Sequence, residues 1–188
     1  MTNLFLLVLL FLFFAVPADA FNEPDNFMGI KFFSDLTKTM KQCREKVIGG
    51  QKMYKMYDSA QGVCWVDDGS YYTIHHTDLF YIVRAYMVDR KLAYLDCDFH
   101  WELYPRTAAV FRERYGAPTR TQNQILTNGL GAKIQNEVLF WDGRQVSISL
   151  RQHSTSLDRS QGIYETQLWR DHSARTTDDW VKKKAKGL

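Results

Sequence analysis

LFWDGRQVSISLRQ, residues 139–152, decides the fold, because CWVDDGSYYTIHH at residues 64–76 repeats its order of parts. Each stretch ends an apolar run on Trp, passes an Asp-Gly pair, and resumes as an alternation of apolar and polar residues. In the later stretch EVLFW and QVSISL flank Asp142-Gly143, residue types that tolerate the positive φ of a tight hairpin. Period two sends Val146, Ile148 and Leu150 to one face and Ser147, Ser149 and Arg151 to the other, the pattern of a half-buried antiparallel strand. In the earlier stretch VCWV and SYYTIH flank Asp67-Asp68-Gly69, so the hairpin recurs with one extra residue. Each copy is followed by a further expected strand, over 79–88 and 162–169.

Upstream of each hairpin the pattern turns helical. In SDLTKTMKQCREKV, Leu36, Met40, Cys43 and Val47 fall at steps of four and three, which predicts an amphipathic helix capped by Ser34. Tyr104, Ala108, Phe111 and Tyr115 form a second stripe, with Pro105 in its first turn, Gly116 at its end and Pro118 beyond, which predicts a helix over 104–115. A third is expected over 177–186. A strand from Leu92 to Trp101, entered through the turn Asp89-Arg90-Lys91, links the two halves. The expected fold class is α+β: two tandem α-β-β-β repeats with antiparallel sheets and a C-terminal helix. The first unit with its linking strand occupies 21–101, and the second, with a basic tail, 102–188. One helix on a small sheet leaves much apolar surface bare, so the two units are expected to join edges or cover each other, with Trp65 and Trp141 as core anchors.

The first twenty residues, MTNLFLLVLLFLFFAVPADA, contain an apolar run shorter than the about 20 residues of a spanning helix. They close on Ala18-Asp19-Ala20, the small-x-small pattern of signal cleavage, expected between Ala20 and Phe21. Export to the periplasm or the extracellular space follows as the expectation, with no membrane span left after the signal is removed. Three cysteines then meet an oxidising compartment. Cys97 shares the apolar face of the linking strand with Ala93, Leu95, Phe99 and Trp101, so it is expected as a buried free thiol, and Cys43 and Cys64 as the disulfide pair. The net charge of +3 is partly concentrated in Lys182, Lys183, Lys184 and Lys186; elsewhere acids and bases are interspersed, and no nucleic-acid partner is expected.

GIKFFSDLTKTMKQC, and FRERYGAPT leading into a hairpin, resemble small exported bacterial proteins that open on a Phe-x-Gly-Ile-type strand and carry a helix ending in Tyr-Gly-x-Pro. At fold level the arrangement resembles the helix-plus-meander repeat of beta-lactamase-inhibitor-like proteins and of the small outer-membrane assembly lipoprotein family, over Phe27 to Trp169. The resemblance implies a fold and an envelope setting. It carries over no binding residue, and no lipid-anchor Cys follows the signal region.

Asp96, Asp98 and His100 share the polar face of the linking strand and are the metal-ligand candidates of the alternative function, a small metal-dependent hydrolase; same-face positions are about 6.6–7 Å apart along a strand, a long reach for Asp. His75-His76 sends its rings to opposite faces. HSTSLDRS at 153–160 has the residue types of a nucleophilic triad but no rigid elbow, so it is expected as a polar loop. TNGLGAKIQNE at 127–137 has two glycines near an expected strand but no following Lys-Ser/Thr and no helix opening behind it, a weak match to a phosphate-binding loop. KMYKMYD at 52–58 alternates Met and Tyr and offers Tyr54 and Tyr57 as binding contacts. The expected function is that of a non-catalytic exported binding protein, without a cofactor, whose partner is an envelope or secreted protein.

Overall fold

The computed structural model describes residues 21–188 except 49–50, 56–62, 76–78, 81, 128, 130 and 187–188. Of 45–48, 51–55 and 75 only the backbone is described. The proposed signal segment, including Ala20, lies outside the described residues, and so does Tyr57. Along the chain run β1 (Asn26–Phe27), β2 (Ile30–Lys31), α1 (Leu36–Thr39), β3 (Arg44–Ile48), β4 (Gln51–Lys55), β5 (Cys64–Asp67), β6 (Tyr72–His75), β7 (Ile82–Val88) and β8 (Lys91–His100). A 3₁₀ turn, Trp101–Leu103, leads into α2 (Tyr104–Tyr115), followed by β9 (Arg120–Thr127), β10 (Lys133–Trp141), β11 (Val146–Arg151), β12 (Arg159–Thr166) and α3 (Gln167–Ala185).

The molecule is α+β but mostly sheet. One eight-stranded antiparallel sheet has the order β5-β6-β7-β8-β12-β11-β10-β9, so two meanders meet at a central seam where β8 pairs with β12. The Trp hairpins occupy matching places: Trp65 pairs with Ile74 across β5 and β6, and Trp141 with Ile148 across β10 and β11. α2 forms over the expected residues, with Gly116 closing it at φ 82° and its N–H donating to the Arg112 carbonyl. Its stripe of Tyr104, Thr107, Ala108, Phe111 and Tyr115 is buried against one face of the sheet, on Leu139, Trp141, Ile148, Leu150 and Tyr164. Burying a side chain such as Phe111 contributes about 1.5–3 kcal/mol. Phe27, Ile30, Phe32 and Leu36 of the N-terminal segment complete this core, and Cys43, Cys64 and Val66 form a smaller buried cluster beside it.

Three boundaries differ from the expectation. The first helix is one turn, capped by Asp35 rather than Ser34; Met40 is already extended, and the chain is drawn into pairing with β5 through Cys43 N–H to Trp65 O at 2.8 Å. Residues 44–48 are strand, paired with β4 in a separate ribbon. The two halves therefore differ in helix content. β12 stops at Thr166, whose hydroxyl accepts from the Trp169 N–H, so that 167–169 begin a helix instead of ending a strand, and α3 starts ten residues before the expected Thr177. Trp101, expected on the core face, is 41 % exposed because the 3₁₀ turn rotates it away.

Cys43 and Cys64 form the disulfide, with sulfurs 2.03 Å apart, and Cys97 is a buried free thiol whose pKa burial pushes well up. Asp89 and Arg90 make the β7–β8 turn as a two-residue hairpin, both with positive φ. No helix among the described residues is long and apolar enough to cross a membrane.

Candidate functional site

The alternation that buries Ala93, Leu95, Cys97 and Phe99 of β8 turns Tyr94, Asp96, Asp98 and His100 to the opposite face of the sheet, where they are half-buried. Register sets what they meet. Arg84 of β7 lies opposite Asp96, and Tyr86 opposite Tyr94. The Arg84 guanidinium donates to Asp98 Oδ2 at 2.8 Å and Asp96 Oδ2 at 3.0 Å, and Gln161 of β12 donates to Asp96 Oδ1 at 2.9 Å. Burial works against the charge on Arg84, but the Asp98 and Asp96 carboxylates outweigh it and raise its pKa. Such a paired and bridged set is held in place, unlike a lone surface ion pair.

Next to this network the rings of Tyr71, Tyr86, Tyr94 and Trp169 form a continuous cluster. Tyr86 lies 5.5 Å from both Tyr71 and Tyr94, and Trp169 lies 4.8 Å from Tyr94 and 5.7 Å from Tyr86. Burial, with Asp96 nearby, raises the pKa of both Tyr86 and Tyr94, so these phenols stay neutral in physiological water. Trp169 is fixed from behind. Thr166, which caps its helix, donates to the Ala93 carbonyl at 2.7 Å, and Arg170 reaches Ser147 Oγ and the carbonyls of Glu165 and Arg144 at 2.8–3.1 Å. Beyond Arg170 the same face holds a shallow hollow of about 300 Å³ lined by Phe140, Ser149, Ile163 and Arg120, whose guanidinium sits 3.6 Å over the Phe140 ring. Ile82, at 36 % exposure, extends the face at its other side.

The arrangement suits recognition: aromatic rings already packed, a fixed ion network, and an adjoining hollow in which Arg120 and Arg170 stand with Asp142 and Glu165. The three metal-ligand candidates do not converge. Asp96 and Asp98 turn to Arg84, whereas His100 Nδ1 turns to Glu102, accepting its N–H at 3.4 Å with the carboxylate at 3.5 Å. Among the described residues no three His, Cys, Asp or Glu side chains stand together as metal ligands. Of the 153–160 stretch, expected as a loop, Arg159 and Ser160 already belong to β12, paired with His100 and Phe99; His153 is buried with Nδ1 2.8 Å from the Leu157 carbonyl, and Ser160 Oγ donates to the Gln152 carbonyl, so neither serves the other. Gly131, at φ 82°, belongs to the connection between β9 and β10, two strands of one hairpin. Tyr54 is placed in β4 opposite Glu45, in the ribbon outside the main sheet. His75 ends β6, and His76 lies outside the described residues.

Sequence reasoning missed Arg84 and the ring cluster because their partners come together only through strand pairing. It also missed an apolar cleft of about 180 Å³ on the α2 side, between Phe27, Phe80, Val110 and Arg114, with the Tyr115 and Tyr164 hydroxyls 3.0 Å apart. Comparison of the chain with family models, with curated proteins and with solved structures finds no match.

Proposed function

We propose that this is an exported, non-catalytic binding protein of the cell envelope, which engages a partner protein with the sheet face opposite α2. The observation that carries the reading is the asymmetry of the sheet. α2 and the N-terminal segment pack on one side, while the other keeps Tyr71, Tyr86, Tyr94 and Trp169 in mutual contact beside the Arg84 network. Rings already held by their neighbours lose little entropy on binding, and Tyr, Trp and Arg dominate protein contacts for that reason. The apolar N-terminal run and the Cys43–Cys64 disulfide are compatible with export to an oxidising compartment. The matched pairings of Trp65 with Ile74 and Trp141 with Ile148 support reading the chain as two related units about β8.

Crosslinking in the native envelope tests the reading, using a photoreactive residue at Ile82 or Ser149. A defined partner protein should be captured from both positions, and Ile82→Glu should abolish capture while the melting temperature stays put. Tyr54→Ala and Tyr57→Ala test whether the β3–β4 ribbon contributes. Capture that ignores the charge at Ile82 rejects the sheet face, and a purified protein that turns over a substrate rejects the non-catalytic reading. The hydrolase alternative requires His100→Ala to abolish such turnover without unfolding.

A further inference from the structure

α3 has two unlike ends. Its root is fixed to the sheet by Trp169 and Arg170, yet none of its 19 residues is buried. Eleven positions beyond Trp169, at about 100° per residue and 1.5 Å of rise, Trp180 returns to within about 20° of the same helix face and lies about 16 Å farther along. No core receives it. Trp180 is 61 % exposed and Val181 51 %, among the most exposed large apolar side chains of the described residues. Lys182, Lys183, Lys184 and Lys186 follow, with no acid beyond Asp179, and Lys184 Nζ lies 5.9 Å from the Trp180 ring centre. On the helical wheel Lys183 and Lys184 flank Trp180, about 60° to one side and 40° to the other.

Lysines in a last helical turn complement the macrodipole, which accounts for their position. It does not account for a solvated Trp among them. An indole bordered by lysines has a natural medium where water meets lipid headgroups: the ring is amphipathic, and lysine stems lie along apolar surface while their ammonium groups reach phosphate. We propose that the distal half of α3 is a foot that docks on the surface of an anionic phospholipid bilayer. Trp180 and Val181 enter the headgroup region, Lys183 and Lys184 pair with phosphates beside them, and Lys182 and Lys186 add attraction within the about 10 Å Debye length. The charge complementarity selects this occupant over a neutral protein surface, and the proposal does not depend on which partner the sheet face takes.

Vesicle flotation of the purified protein tests it, with phosphatidylcholine alone and with one-third phosphatidylglycerol. Binding should appear only with the anionic lipid and weaken at high salt. Each lysine at an anionic surface is worth about fivefold in affinity, so K182Q/K183Q/K184Q should lose about a hundredfold. W180A should lose about tenfold through its apolar area. All four positions are exposed, and an unchanged thermal melt confirms that each variant is folded. Equal binding to both vesicles overturns the foot, and so does lysine-dependent binding indifferent to W180A. Binding to a DNA duplex in preference to the anionic vesicles overturns it as well.

Discussion

The hairpins around Trp65 and Trp141 share a sequence pattern and a cross-strand register, yet they draw their stability from different sources. Trp141 lies in the sheet interior, fully buried, with its indole N–H donating to the Gly116 carbonyl at 2.9 Å. Trp65 sits on edge strand β5, 9 % exposed, its indole N–H without a hydrogen-bond partner among the described residues. The edge hairpin is held covalently, by the Cys43–Cys64 bridge next to the Trp. The inner one is held by packing against α2 and by Glu23, whose carboxylate accepts the N–H groups of Arg144, Gln145 and Val146 in the turn. The glycines differ as well. Gly69 takes φ 86°, with its N–H bonded to Asp67 Oδ1, whereas Gly143 has no positive φ and is required by space: a Cβ there would strike the Val146 carbonyl and stand 2.7 Å from the Phe21 ring. The same motif can therefore be a staple at an edge and a packing unit in a core.

The strongest way to break the comparison is to truncate each Trp. Trp141→Ala should cost about 3–5 kcal/mol in urea unfolding, through a cavity under Phe111. Trp65→Phe, which removes an indole N–H with no partner among the described residues, should cost about 1 kcal/mol or less, whereas Trp141→Phe also leaves the Gly116 carbonyl unbonded and should cost more; equal losses from the two Phe variants would mean that the environments are equivalent after all. Replacing Cys43 and Cys64 with Ser should cost about 3 kcal/mol on the loop-entropy account, with amide exchange rising first in β5 and β6 and last in β10 and β11. Gly143→Ala should cost about 1–3 kcal/mol by overpacking, against about 1 kcal/mol for the backbone strain of Gly69→Ala. Glu23→Gln weakens the bonds to three amides and should cost about 1 kcal/mol, seen as faster exchange at Arg144, Gln145 and Val146.

The smallest expected effect is one of pH, on the edge side. The Thr37 hydroxyl bond, opposed by desolvation and aided by the Thr37 N–H and Arg90, holds Asp35 below the usual carboxylate range. A pKa depressed in the folded state gives stability that is present above the ordinary Asp value of about 3.9 and lost as pH falls through the folded value. The melting temperatures of the wild type and Asp35→Asn should therefore converge as pH falls below the ordinary Asp value and through the lower folded one. A constant difference down the whole range would assign the effect to geometry instead.

What the sequence made legible was local. α2 carried its own stripe, proline and stop, and β8 and β11 carried alternations strong enough to sort Cys97 from Asp96 and Val146 from Ser147. The failures came where a distant partner overrode a local pattern. Leu36, Met40 and Cys43 keep helical spacing, but the pairing of Trp65 with the backbone at 41–43 ends the helix after Thr39. Thr166 reads as one more residue of an alternating strand until its hydroxyl caps α3. Neither the Glu23 clamp nor the double bridge of Arg84 has any signature along the chain, because each is made by pairing across the fold.

The central seam also sets an order of events. Gln161 and Asp96, which meet across it, stand 65 positions apart, and β12 is the last strand of the chain. A polypeptide emerging from its N-terminus can assemble β5 to β8 early, but it must then carry an unpaired β8, edge bare, until almost everything else has arrived. Closure of the sheet is thus a late, long-range step, of the kind that slows folding and exposes strand edges to neighbouring chains. The half-finished state ends in Asp96, Asp98 and His100 alternating with Cys97 and Phe99, so polar side chains guard one side of the waiting edge while its thiol and ring stay open to whatever strand comes first.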